Sequence, residues 1–430
     1  MGHVPCGTCS RAALLPFIHA LVLFEQEKWQ EAAIAFDTLV AGSGTPVEEH
    51  AFYAAYAHEA VYTMTNKTES LERAITLLNN ALEVNRANKN GVEYALVQRG
   101  LGIIHRTMGG LGAIGDTPEQ HFRRAIDFFQ DAAHFQQERN EIQYAVTQND
   151  LGLNYQMLAT LGVEQELHLR LSIEAFNEAI RTGQGENVAI AKNNIGLSYQ
   201  TLASWGIEPQ KNLAIAMDML HESAAAFKEQ NSADYSVVKY NIGMGYYAFS
   251  LWGVEPTSNL RTSIETLREA AALWKDQQNK SRYAMAQGSI GAGYQALASW
   301  GVDTEKNLQS AVGLLQDAAR MMAEEQENKT GYPIVEANLG LSYQALAVRD
   351  IDAVANFEQS IASLEEAATL WKKQNNRAGF AMAKNNLGVS YQGLVQRNIE
   401  PEKNKLLSDQ SFKEARLKDT NPLPLPAAPP

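Results

Sequence analysis

The chain has 430 residues, 45% of them hydrophobic and 20% charged, the balance of a folded protein and not of a disordered one. Its 49 acidic and 36 basic residues give a formal net charge of −13, which opposes sequence-independent binding to nucleic acid or to an anionic membrane surface. Two cysteines exclude a disulfide framework, and five of the 13 prolines crowd into the last ten residues, which leaves a body poor in helix breakers.

Residues 1–10 carry Cys6-Gly7-Thr8-Cys9, the spacing of a redox motif or of half a zinc site. Zinc needs four ligands and no second cysteine pair exists, so Cys6 and Cys9 complete no metal site by themselves and no cofactor is expected. The apolar stretch Ala12–Phe24 is too short to span a bilayer. It runs straight into Glu25-Gln26-Glu27-Lys28-Trp29 without a cleavage site. It reads as a helix of the folded body, with no membrane insertion, and a cytoplasmic location is the expectation.

Across residues 11–90, Leu14–Glu25 with Trp29–Leu39 and Ala51–Met64 with Glu69–Val84 read as two degenerate helix pairs. Residues 91–418 hold a repeat. An apolar-Gly pair recurs at Gly102, Gly152, Gly196, Gly243, Gly291, Gly340 and Gly388, with spacings of 50, 44, 47, 48, 49 and 48. Three residues after the glycine stands His105, Tyr155, Tyr199, Tyr246, Tyr294, Tyr343 or Tyr391. Each copy predicts two helices. In Ser281–Trp300, Met285, Ile290, Tyr294 and Leu297 form one stripe, and Gly291 on that face admits a close neighbour. Trp205-Gly206, Trp252-Gly253 and Trp300-Gly301 predict left-handed glycine stops, and Pro209, Pro256 and Pro401 predict the start of second helices. Leu260, Ile264, Leu267, Ala271 and Trp274 give such a helix its apolar face. Gln278-Asn279-Lys280 and Gln374-Asn375-Asn376 predict asparagine stops. Residues 419–430 form a Pro-rich tail, expected to be polyproline-like or unstructured.

The pattern resembles the tetratricopeptide repeat: Leu/Ile-Gly-x-x-Tyr in the first helix, as in Ala191–Gln200 and Ala383–Gln392, then small and aromatic residues in the second. Trp29–Phe36 resembles its short form, and the Sel1-like repeat is a related label. The departure is a unit of about 48 residues, lengthened in Leu-Ala-Ser-Trp-Gly segments. The resemblance implies an all-α, right-handed α-solenoid of stacked antiparallel helix pairs, with the first helices lining a concave groove.

Gly110-Leu111-Gly112-Ala113-Ile114-Gly115 spells a dinucleotide fingerprint, but it leaves a helix where the chemistry requires a strand. No Walker, His-Glu-x-x-His or Gly-x-Ser-x-Gly motif occurs, so no motif supports an enzyme. What remains is a polar lining of the first helices. Lys192, Lys239 and Lys384 stand four residues before the glycine; Asn149, Asn193 and Asn385 stand three before it; Gln156, Gln200, Gln295, Gln344 and Gln392 stand four after it. Amides carry both donor and acceptor, so this ladder can pair with an extended peptide or, equally, tie neighbouring repeats together. The lysines, which stacking does not require, would favour carboxylates. The expectation is a non-catalytic scaffold binding a protein or peptide in the groove. A structural subunit that self-associates through the solenoid ends and a regulatory subunit of a separate effector are the alternatives.

Overall fold

The computed structural model describes residues 11–42, 48–65, 67–84, 91–111, 116–230, 232–324 and 331–416. Of these, 86% are helical, and no strand occurs among them. Cys6, Cys9, residues 112–115 of the glycine run and the Pro-rich tail lie outside the described residues.

The helices pair in chain order. The degenerate pairs are α1 (Arg11–Glu25) with α2 (Trp29–Gly42) and α3 (Glu48–Thr65) with α4 (Thr68–Val84). Then come α5 (Val92–Leu111) with α6 (Pro118–Gln136), α7 (Glu141–Thr160) with α8 (Gln165–Thr182), and α9 (Glu186–Ser204). The chain divides into two compact units, Met1–Ser198 and Tyr199–Pro430, within α9. In the second unit α10 (Pro209–Glu229) precedes three pairs: α11 (Tyr235–Leu251) with α12 (Pro256–Asp276), α13 (Lys280–Ser299) with α14 (Thr304–Glu324), and α15 (Tyr332–Ala347) with α16 (Ala353–Lys373). The last pair is α17 (Arg377–Gln396) with α18 (Pro401–Ala415). Second helices also pack against the first helix of the next pair, as α12 does on α13 and α14 on α15.

The repeat glycine sets the packing inside each pair. A Cβ on Gly291 would lie 2.7 Å from Leu315, one on Gly340 2.7 Å from Leu364, and one on Gly152 2.4 Å from Phe176. Each of those partners stands on the second helix of the same hairpin and is fully buried. Hydrogen in place of a side chain lets the two backbones close until the Leu or Phe fills the gap.

The turns follow the expected chemistry with two differences. Gly206, Gly253 and Gly301 are left-handed, at φ of 80°, 73° and 75°. After Trp274, however, Gln278 takes the left-handed conformation, and Asn279 instead caps α13 by accepting from the Arg282 amide at 3.0 Å. Asparagine competes for both places, and the cap satisfies an otherwise orphaned N–H. The second difference is a row of acidic residues, Glu164, Glu208, Glu255, Asp303, Asp352 and Glu400, held at φ between 36° and 39° just before the second helices from α8 onward. Four residues into the helix, Asn212, Asn259, Asn307, Asn356 and Asn404 donate their side-chain amide back to the carbonyl preceding the acid, at 2.6–2.8 Å. His168 Nδ1 donates the same bond to Val163 at 2.7 Å. This tie holds the strained turn from the second helix, while the amide of the residue before the acid bonds back to the first, as Val302 N–H does to the Leu297 carbonyl at 3.0 Å.

Candidate functional site

Within each unit the first helices of successive pairs come close to one another, α3 to α5 to α7 and α11 to α13 to α15 to α17, more so than the second helices do. The first-helix side is therefore the inner side of each stack. It is where the sequence places its polar lining.

Most of the glutamine ladder ties repeats together. Gln156 Nε2 donates to the Asn194 carbonyl at 3.1 Å and to Ser198 Oγ at 2.7 Å. Gln344 Nε2 repeats the arrangement on the Asn386 carbonyl at 2.9 Å and Ser390 Oγ at 2.7 Å. Gln200 Nε2 donates to the Asn241 carbonyl at 3.1 Å; the place of the serine is taken there by Gly245. Each accepting carbonyl belongs to the next first helix, two residues before its glycine. Asn149 Nδ2 reaches the Asn187 carbonyl at 3.3 Å, and Asn193 Nδ2 donates to Asn194 Oδ1 at 3.2 Å.

The lysines have structural partners as well. Lys239 Nζ lies 2.5 Å from Glu269 Oε2 and Lys384 Nζ 2.7 Å from Glu414 Oε2, each glutamate on the second helix of the same hairpin. Hydrogen bonds from Lys384 and Gln410 hold the Glu414 carboxyl below the usual carboxylate range. Lys192 is half-buried and is likewise not free. Stacking requires no charge at these positions, but the hairpin supplies one to pair with it. Sequence reasoning missed this because the glutamates stand on a different helix, thirty residues along the chain from their lysines.

Three members of the ladder remain without a hydrogen bond among the described residues: the half-buried Gln295 and the exposed Asn385 and Gln392. Asn385 and Gln392 are seven residues apart on α17 and so share one of its faces. On α15, the side chain of Asn338 is also unpaired; its carbonyl accepts from Ser342 at 2.9 Å, in place of the bond that Gln295 would make by analogy with Gln156.

Between α11, α13 and α15 the inner face opens into a cavity of about 380 Å³. Tyr240, Met244 and Tyr247 come from α11, Met285 and Gly288 from α13, and Val335 and Asn338 from α15. The signal for it lies three residues before the repeat glycine. Asn149, Asn193 and Asn385 stand there in other copies, but Tyr240, Gly288 and Ala337 in these three. A Cβ on Gly288 would stand 2.8 Å from Val335 Cγ2, so the glycine lets α15 close against α13. Tyr240 Oη lies 2.9 Å from Ser289 Oγ, which fixes one wall.

The first unit fills its inner face differently. Asp150 accepts from Arg99 Nε and Arg106 Nη1, both at 2.7 Å. Burial alone would raise its pKa, but the two guanidiniums prevail and hold the carboxyl below its ordinary value. On the same α5, His105 Nδ1 lies 3.2 Å from His121 Nδ1, and both rings are buried. Burial, reinforced by His121 and Arg124, pushes His105 down to about 4.

Among the described residues no group of three or more His, Cys, Asp or Glu is placed to hold a metal, and no helix is long and apolar enough to cross a membrane. No known family profile matches the sequence, and no curated protein matches it. Solved structures do. The apo form of the quorum sensor NprR from B. thuringiensis is 15% identical, with a TM-score of 0.50, over 94% of this chain and 98% of that one. Aspartyl phosphate phosphatase F from Bacillus subtilis is 11% identical, with a TM-score of 0.45, over 98% of this chain and 99% of that one. The TPR-like repeats of a kinesin light chain from Podosopora anserina are 14% identical, with a TM-score of 0.38, over 55% of this chain and 99% of that one. With its paired helices, its repeat glycines and its likeness to the quorum sensor, the chain has the fold of a TPR-like helical repeat protein.

Proposed function

We propose that the protein is a non-catalytic scaffold that binds a segment of a protein partner along the inner face of the first helices. The observation that carries this reading is the set of unpaired amides on the second unit. Gln295, Asn338, Asn385 and Gln392 keep donor and acceptor available after the stack has satisfied Gln200 and Gln344. An extended backbone presents the complementary N–H and C=O groups at regular intervals. Within the second unit Gln200, Lys239, Gln344 and Lys384 then act as the frame that fixes the binding face, as Asn149, Gln156, Lys192 and Asn193 do within the first, and carboxylates on the partner would compete with Glu269 and Glu414 for Lys239 and Lys384.

The test is affinity capture from source cells with quantitative mass spectrometry. A partner retained by the wild type should be bound at least about tenfold more weakly by Gln295→Ala/Asn385→Ala/Gln392→Ala and depleted accordingly, because each lost bond contributes about 0.5–1.5 kcal/mol. Equal retention by a variant with unchanged melting would place the interface elsewhere.

A further inference from the structure

We infer that the cavity between α11, α13 and α15 is a binding site for a small, uncharged and mainly apolar molecule carrying one hydrogen-bond acceptor. This goes beyond the scaffold reading and does not depend on it.

The lining decides the class of ligand. None of the described residues that line the cavity is charged, in a chain where one residue in five is Asp, Glu, Lys or Arg (20%). A charged ligand would be stripped of water there without a counter-charge, at a cost that an uncharged one avoids. The 380 Å³ falls at the small end of the range of ligand pockets, about 300–1,000 Å³, which suits one compact molecule. Met244, Met285 and Met322 supply three unbranched thioethers, which adapt to an apolar or aromatic body better than branched side chains do.

Two polar groups on the wall lack partners among the described residues. The Tyr247 hydroxyl and the Asn338 side-chain amide make no hydrogen bond among the described residues, although both line the cavity. Burial also pushes the Tyr247 phenol up, so it stays a neutral O–H donor. Its neighbour Tyr240 bonds to Ser289, so the lack of a partner is particular to Tyr247. A ligand carbonyl would satisfy either donor, and an apolar body would displace water from the thioethers.

Prodan, a neutral naphthalene with one ketone and environment-sensitive fluorescence, is a suitable probe for the full-length protein. We expect saturable, blue-shifted binding at one site per chain. Ala292→Phe, which fills the cavity from α13, should weaken it at least tenfold. Ile334→Asp, on the exposed rim where a substitution cannot disturb the core, should weaken it several-fold. Tyr247→Phe should weaken it a few-fold and shift emission further to the blue, through loss of the hydrogen bond to the ketone. Absence of saturable binding overturns the inference. So does undiminished binding by Ile334→Asp, or by Ala292→Phe with native helicity and melting.

Discussion

Four residues after the repeat glycine, α5 carries Arg106 and α15 carries Gln344. Both reach the next first helix two residues before its glycine, yet Arg106 donates to the Asp150 side chain and Gln344 to the Asn386 backbone carbonyl. The first unit thus ties α5 to α7 with a buried carboxylate between two guanidiniums, and the second ties α15 to α17 with neutral amides. The same contrast extends along the inner faces. The first unit buries a histidine pair, whereas the second holds the uncharged cavity and its only histidine, His221, is exposed. One backbone position therefore accepts an ionic or a neutral tie, provided that the residue opposite changes with it. The ionic tie is the more fragile, because removing one partner leaves a desolvated charge.

Asp150→Ala should break the comparison most sharply. It strands Arg99 and Arg106, whose side chains are only 17% and 24% exposed, and should destabilise the first unit by about 3–5 kcal/mol. Denaturant unfolding would give the size, and hydrogen exchange should locate the loss in α5 and α7. A loss below 1 kcal/mol would mean that water already screens the arginines.

Acid should separate the units next. In the unfolded chain His105 gains its proton near its ordinary 6.5, but in the fold it stays neutral down to about 4. Protons therefore favour the unfolded chain as pH falls from 6.5 to 4, and nothing changes above 6.5. At about 1.4 kcal/mol per unit of separation, the first unit should lose about 3 kcal/mol over that window. His105→Phe should flatten the dependence, and a second unit that loosens equally would remove histidine as the cause.

The repeat glycines should erase the difference. Gly152→Ala and Gly291→Ala each push a Cβ against a buried partner, Phe176 or Leu315, and should cost about 1–3 kcal/mol in either unit. Thermal melts of the two variants should agree within that range.

The smallest effect sharpens the reading of the ladder. Gln344→Ala removes bonds to Asn386 and Ser390 and should cost about 1–2 kcal/mol, while Gln295→Ala should leave the melt unchanged. A loss on Gln295→Ala comparable with that on Gln344→Ala would assign both to the stack.

The sequence alone determined the helix pairs and part of their turns, because those depend on local chemistry. Proline at a helix start and the left-handed Trp-Gly stop act within a few residues of themselves. It also marked the inner positions, since a period of about 48 residues returns each to the same place on its unit. The partners of those positions had to await the tertiary structure. Lys384 and Glu414 are thirty residues apart, and Gln344 and Ser390 forty-six, so only the packing of helices decides that they meet. The cavity was legible after the fact in Tyr240 and Gly288, where asparagine stands in other copies. A missing side chain signals space only once its neighbours are known, because a gap belongs to three helices at once and not to any one of them.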